Sequence, residues 1–304
     1  MINFHQLRLF CQVAQHGSFS GAAKELFISQ PAISAQVREL EDNLGLKLFE
    51  RSGKMLFLTE AGKLVYRYGN EIFNKSQEME QAIADLKGLV SGRLALASST
   101  TVGECILPKA LGSFKGVYPG IEIELQISNT TQVIERICNH QMDLGFVGEI
   151  VDDPGLTVIP FYTDEIVLFV SSSHPLALRS RPGITLTELV ELDLPFVMRE
   201  KGSATRRCAE KALLEEGYSP TIAIEVGSNE TVKRAVIADL GVGMLSSCTL
   251  LAELKAEMVK IVPVVGLRCV RQFSIIHRKD RNLSKVEKKF IEIALLATGS
   301  NNRV

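Results

Sequence analysis

Ser29-Gln30-Pro31-Ala32-Ile33-Ser34-Ala35-Gln36-Val37-Arg38-Glu39-Leu40-Glu41-Asp42-Asn43-Leu44-Gly45 has every mark of a helix with two different faces. Ser29 is placed to cap it, and Pro31 is tolerated in the first turn, where its missing N–H has no helical partner. Ile33, Val37, Leu40 and Leu44 fall on one stripe; Gln30, Ser34 and Arg38, four residues apart, project together from another. Gly45 ends it. Upstream, Phe4, Leu7, Phe10, Cys11 and Ala14 recur at helical spacing until Gly17. A short helix carrying Ala22, Ala23 and Leu26 follows, with Ser20 expected as its cap, and Phe27-Ile28-Ser29 turns the chain. Downstream, Lys47 to Arg51 and Met55 to Thr59, joined by Ser52-Gly53-Lys54, read as a β-hairpin or wing. Residues 1–58 are therefore expected to be a winged helix-turn-helix domain.

From Thr59 to about Leu89 the chain lacks proline and keeps a helical pattern, so residues 59–90 should form one linker helix, roughly 45 Å long. Val65, Ile72, Met79 and Leu86 stand seven apart and Tyr68 joins their seam, so these five are the expected dimerisation residues. Beyond Gly92, apolar runs alternate with helices, the grammar of α/β layers around a mostly parallel sheet. Strands are expected at Leu94–Ala97, Ile121–Ile127 and Leu144–Val147, then at Glu165–Val170, Phe196–Met198, Ile222–Val226 and Val242–Leu245. Residues 91–304 thus divide into two lobes, 91–164 plus 268–304 and 165–267, the return being made by Phe273–Ile276 and a last helix, Ser284–Ala297. The fold class is α/β.

The 304 residues, 46% apolar and 23% charged, exclude a disordered chain. No run of about 18 apolar residues could span a membrane, and the amino terminus has no basic-then-apolar leader, so a soluble, cytoplasmic protein without membrane partners is expected. The net charge of −1 means that any affinity for nucleic acid must be local. Six cysteines, at 11, 105, 138, 208, 248 and 269, show no Cys-x-x-Cys pair or adjoining histidine ladder, which speaks against a metal site or a disulfide scaffold. Catalytic signatures are missing too: no Gly-x-Ser-x-Gly elbow, no phosphate loop, no dinucleotide fingerprint, and five histidines that do not cluster. No enzyme activity, cofactor or metal is expected. The competing readings are a catalytic α/β domain fused to a helical module, and a thiol-based redox sensor in which Arg206-Arg207 would activate Cys208; for the latter no resolving cysteine is evident in the sequence.

The polar strip of the third helix suits base-pair edges. Gln30 can pair with adenine, Ser34 with a base or phosphate, Arg38 with guanine or phosphate, and the helix start with phosphate; Arg51 and Lys54 on the wing can reach the backbone or minor groove. Phe4-His5-Gln6-Leu7-Arg8-Leu9-Phe10, Gly17-Ser18-Phe19, Ala22-Ala23-Lys24-Glu25-Leu26, Ser29-Gln30-Pro31-Ala32-Ile33-Ser34, Leu40-Glu41, Leu44-Gly45, Leu48-Phe49-Glu50-Arg51 and Leu58-Thr59-Glu60-Ala61-Gly62 resemble the amino-terminal signature of LysR-type transcriptional regulators. The resemblance is dense to about residue 90 and architectural thereafter. It implies a DNA-binding regulator of transcription with Gln30, Pro31 and Ser34 at the DNA and Arg51 from the wing, and an effector domain resembling periplasmic solute-binding proteins; the capping Ser29 is expected at the DNA beside them. It further implies a homodimer or dimer of dimers, with RNA polymerase as a further partner. Ala35 departs from the polar or basic residue common at this position, which leaves an apolar contact there, such as one to a thymine methyl.

The same resemblance places a small-molecule effector between the lobes, and the positions matching its ligand groups are Ser99, Thr100, Thr101, Asn129 and Gly148, each at the carboxyl end of a strand. Facing them, Arg199-Glu200-Lys201-Gly202-Ser203-Ala204-Thr205-Arg206 leads into a helix. Ser203 and Thr205 offer hydroxyls and Arg206 a guanidinium, so the expected effector is a small anionic metabolite. Its binding would change lobe closure and, through the linker helix, how DNA is bound or bent.

Overall fold

A computed structural model describes residues 2–52, 55–86, 92–181 and 183–299, and the chain divides into two compact units, Met1–Ile83 with Asn139–Gln141 and Ala84–Cys138 with Met142–Val304. Among the described residues, no helix is long and apolar enough to cross a membrane.

The first unit begins with helices α1 (Phe4–His16), α2 (Phe19–Glu25) and α3 (Gln30–Leu44). Asn3 caps α1 by accepting from the amides of His5 and Gln6, and Gly17 closes it in the left-handed region at φ 61°. The cap of α2 is Ser18, whose Oγ accepts from the Gly21 amide at 3.1 Å, and not Ser20 as the sequence suggested. The reason is local: a capping residue must be extended and lie just outside the first turn, as Ser18 is at φ −160°, whereas Ser20 is already helical. Ser29 caps α3 through the Ala32 amide. Ile33, Val37 and Leu40 are buried with Leu7, Phe10, Val13, Ala22 and Leu48 in one core, as their spacing demanded.

Strands β1 (Phe49–Ser52) and β2 (Met55–Leu58) form the antiparallel wing. Helix α4 (Glu60–Leu86) packs directly behind it; a Cβ on Gly62 would lie 2.0 Å from the Leu48 carbonyl oxygen, so only glycine fits at that crossing. On α4, Ala61, Val65, Tyr66 and Phe73 lean on the helix-turn-helix core. Val65, expected on a dimer seam, thus belongs to the inner face, because the first two turns of α4 must cover Leu7 and Phe10. The outward face carries Leu64, Tyr68, Ile72, Met79 and Ile83, all exposed. The side chain of Leu86 lies outside the described residues.

The second unit has two lobes. The first contains β3 (Gly92–Ser99), α5 (Thr100–Cys105), α6 (Leu107–Val117), β4 (Ile121–Ser128), α7 (Thr130–Cys138) and β5 (Leu144–Val147). Strand β6 (Leu156–Ser171) then crosses into the second lobe, built from β7 (Ile184–Thr185), α8 (Leu186–Leu192), β8 (Phe196–Arg199), α9 (Ala204–Glu215), β9 (Ile222–Val226), α10 (Asn229–Ile237), β10 (Val242–Ser246), a 3-10 turn at Ser247–Leu250, α11 (Leu251–Lys255), β11 (Val259–Ile261) and β12 (Val264–Val265). Strand β13 (Val270–Arg278) and α12 (Lys285–Gly299) return to the first lobe. The strand order is β4-β3-β5-β13-β6-β10-β8-β9, with β11 also on β6. Within each lobe, β3, β4 and β5, and β8, β9 and β10, run parallel; β13 runs against β5 and β6, and β6 runs against β10.

Both faces of these sheets are covered, which explains the unbroken apolar runs. In Leu94-Ala95-Leu96-Ala97, the leucines enter the cluster of Phe114, Phe146, Phe273 and Phe290, and the alanines face Val133, Ile137 and Ile276 beneath α7. The one large difference from the expected elements is β6, which begins at Leu156 rather than near Glu165 and is a single strand of 16 residues. Pro160 and Asp164 interrupt its apolar pattern. The proline stands opposite Ser274, beside the slip in the pairing with β13 between Phe273 and Ser274, an irregular place in the ladder where proline is tolerated.

Candidate functional site

Two places collect polar groups that the fold itself does not consume. The first is the outer face of α3. Gln30, Pro31, Ala35 and Arg38 are exposed, Ser34 is half-buried, and Ser29 is exposed while capping the helix. Ser20 Oγ donates to Gln30 Oε1 at 3.0 Å, so the amide at the helix start is oriented before any partner arrives. Arg51 is exposed on β1; Lys54, at the wing tip, lies outside the described residues. The wing is fastened by Glu41, buried on the opposite face of α3, whose carboxylate accepts from the amides of Leu48 and Phe49 and pairs with Lys47 at 2.7 Å. Burial alone would raise that carboxyl, but Lys47 and the two amides outweigh it and hold the group below the usual carboxylate range. The strip is thus presented on a helix anchored from behind.

The second place is the cleft between the lobes of the second unit, lined by Ser99, Thr100, Thr101, Asn129, Thr130, Gly148, Arg199, Ser203, Ala204, Thr205 and Arg271. Strand ends β3, β4 and β5 supply the residues of one wall; the start of α9 supplies Ser203, Ala204 and Thr205. The enclosed space is about 10 Å³, about one water's room, and a wider mouth of about 470 Å³ adjoins it at Thr100, Asn129, Gln132, Arg136 and Glu200.

Two arginines dominate the walls: Arg271, which the sequence did not single out, and Arg199, which opens the stretch expected to face the strand ends but was given no role there. Arg271 is buried; its Nε donates to Asp164 Oδ2 at 2.8 Å and its Nη1 to Thr205 Oγ1 at 3.0 Å, while its Nη2 is buried with no protein acceptor. Ser99 Oγ is likewise buried and without a partner. Gly148 permits this arrangement, since a Cβ there would stand 3.1 Å from Arg271 Nη1 and 3.4 Å from the Ala204 Cβ. Arg199, also buried, donates to Thr100 Oγ1 at 3.3 Å, to Asn229 Oδ1 and to Glu200.

Seven of the eight expected ligand residues, Ser99, Thr100, Thr101, Asn129, Gly148, Ser203 and Thr205, therefore meet around one space. Arg206 is the exception and a correction. One position beyond Thr205 on a helix, it turns away from the cleft and is consumed by Glu210, Glu225 and the Arg199 carbonyl. Burial works against its charge, yet the two carboxylates more than compensate and keep it protonated. Asn229 is buried between the lobes, donating to Glu104 Oε2 at 3.1 Å, while Ser228 caps α10. Arg271 gave no sequence signal because it sits in an extended strand, with no loop or helix start to announce it. Among the described residues, no cluster of His, Cys, Asp and Glu could hold a metal ion.

Comparison with known proteins agrees with this division. Residues 4–63 match the family model described as a bacterial regulatory helix-turn-helix protein of the lysR family, and residues 87–297 match the LysR substrate binding domain. The HTH-type transcriptional activator CmpR of Synechocystis is 36% identical over 95% of this chain and 93% of its own. The regulatory domain of Synechocystis CcmR, solved in complex with 2-PG, is 31% identical, covers 70% of this chain and 99% of its own, and superposes with a TM-score of 0.64. Full-length CbnR complexed with its target DNA, 23% identical, shares the fold over 97% of this chain and 99% of its own at a TM-score of 0.68. A helix-turn-helix with an outward polar strip, joined to a two-lobed domain with a polar cleft, is matched along nearly its whole length, and the chain belongs to the LysR family of transcriptional regulators.

Proposed function

We propose that this regulator reads DNA with Ser29, Gln30, Pro31, Ser34, Ala35 and Arg38 of α3 and with Arg51 and Lys54 of the wing, and that a small metabolite carrying a phosphate or carboxylate binds between the lobes and adjusts that reading. The observation that carries the ligand class is the unpartnered Nη2 of buried Arg271, beside the unpartnered Ser99 hydroxyl on the wall of the same cleft. A buried guanidinium donor without an acceptor costs more than it returns unless an anion completes it. Thr100, Thr101, Ser203 and the amides opening α9 surround it with further donors suited to anionic oxygens. The 2-PG held by the CcmR domain is a ligand of this class, and 2-PG is accordingly the first probe.

The relatives are named as transcriptional regulators, which supports a non-enzymatic role, and the groups lining the cleft are suited to bind, orient and neutralise charge. The chain works as a homodimer or dimer of dimers through the outward face of α4, and acts on transcription through operator binding together with RNA polymerase. The deciding experiment is calorimetric titration of the full chain with 2-PG, paired with genomic footprinting with and without it. Saturable binding that shifts the footprint supports the reading; binding that leaves every footprint unmoved refutes the regulatory half of it.

A further inference from the structure

Four of the six cysteines meet in two pairs. Cys208 on α9 lies 3.2 Å, sulfur to sulfur, from Cys269, the residue before β13; Cys105, at the end of α5, faces Cys248 in the turn after β10. The first pair touches the cleft from behind. Cys208 is one helical turn beyond Thr205, Cys269 is two residues before Arg271, and Thr205 and Arg271 are joined by their 3.0 Å hydrogen bond. The two sulfurs also differ in access: Cys208 is half-buried, whereas Cys269 is only 3% exposed and its carbonyl is held by the Ile166 amide at 2.8 Å.

We propose that Cys208 and Cys269 are a reversible oxidation site, closed to a disulfide by a hydroperoxide, and that the bond resets the ligand cleft through α9. The Cys208 sulfur attacks one peroxide oxygen, the O–O bond breaks, and the first water or alcohol leaves; the resulting sulfenic acid is attacked by Cys269, its S–O bond breaks, and a second water departs with the remaining thiol proton. Two thiols lose two electrons and the peroxide gains them. The outer sulfur is the better nucleophile. Hydrogen bonding from Cys269 lowers the Cys208 thiol, burial opposes this, and the charges of Arg271 and Lys211 add to the lowering, while the same contact and burial raise Cys269. Closing the bond draws the sulfurs from 3.2 Å to about 2.05 Å. Cys269 is pinned to β6, so α9 takes up the movement, and with it the Thr205 wall on which Arg271 rests.

The site stands on thiol geometry alone; only its effect on ligand rests on the anion reading above. The full reduced chain is treated with stoichiometric hydrogen peroxide, digested without reductant and mapped by mass spectrometry, and amide exchange is followed across residues 203–209. The expected result is a Cys208–Cys269 linked peptide that dithiothreitol releases, a change in exchange across 203–209, and 2-PG affinity altered at least threefold. C208S and C269S should each abolish all three, whereas C11S should not, burial having pushed the Cys11 thiol up to about 12. No linked peptide, linkage of Cys105 to Cys248 in its place, or linkage with unchanged exchange would each overturn the proposal. If the reduced chain does not bind 2-PG, that choice of ligand falls, while peptide map and exchange still decide the oxidation site.

Discussion

A guanidinium turned toward carboxylates outside the cleft and one with a buried nitrogen to spare do different work, and this chain holds both close to one cleft. Arg206 is held through Nε and Nη1 by two carboxylates and a carbonyl; Arg271 keeps a buried Nη2 without a protein acceptor on the cleft wall. Arg271→Lys keeps the charge facing Asp164 but loses the fork, so 2-PG affinity measured by calorimetry should fall about tenfold or more, the loss of a charge-assisted hydrogen bond. Arg206→Lys should change it by less than about twofold, its pairs lying outside the cleft. A second contrast separates the two sites. Ser34→Ala should relax base preference at one operator position by about 1–3 kcal/mol without touching 2-PG binding, and Thr100→Ala should do the reverse, as read by competition footprinting and calorimetry. Ser99, Thr100 and Thr101 were legible through the family resemblance, which places them at the carboxyl end of a strand. Arg271 was not, since it lies in a strand far along the chain, and its place at the cleft depends on pairing with β6 and on the room that Gly148 leaves beside it.

Elements were legible where one face is apolar and the other is not. The helices of the first unit and the short parallel strands follow from spacing; β6 did not, because its path through both lobes is fixed by partners far along the chain rather than by its own pattern. Helix α4 shows both outcomes. Its heptads marked a helix with work to do, but not that the first turns are turned inward by the core, which moves the free seam to Leu64, Tyr68, Ile72, Met79 and Ile83. If that seam joins subunits, Ile72→Glu with Met79→Glu should give a monomer in sedimentation while shifting monomer stability by no more than about 0.5 kcal/mol. The wing depends on Glu41. Glu41→Ala strands the amides of Leu48 and Phe49 and should cost about 1–3 kcal/mol in chemical unfolding. Because the folded carboxyl sits below its ordinary value of 4.5, its contribution is present above that pH and fades as the pH falls through the lower folded value. The stability gap between the parent chain and Glu41→Gln should therefore be widest near neutrality and narrow as the pH falls below 4.5.

At the scale of the whole molecule, regulation requires two states of the lobes that a ligand can tell apart. The lobes meet through Arg199 to Thr100, through Asn229 to Thr101 and Glu104, and through Thr131 to the Gly202 carbonyl, around a space of about 10 Å³. A phosphate or carboxylate group arriving from the wider mouth of about 470 Å³ needs more room than that to reach Arg271, so on the proposed reading these contacts part and the ligand replaces them with its own. The same polar groups hence serve two masters in turn, which is what makes lobe position responsive to occupancy. Asn229→Ala removes a bridge without removing a cleft-lining group, so 2-PG should associate faster in stopped-flow mixing; an unchanged or slower rate would show that the bridge does not govern entry. Coupling to DNA carries a stricter requirement. If 2-PG changes operator affinity by some factor, operator DNA must change 2-PG affinity by the same factor. Both titrations have to be made at one salt concentration, because the phosphate contacts of α3 and the wing weaken steeply with salt and would otherwise mimic a loss of coupling. Equal factors that vanish together in Arg271→Lys would tie the guanidinium of one domain to the base reading of the other; unequal factors would mean that the two ligands bind without sharing an equilibrium.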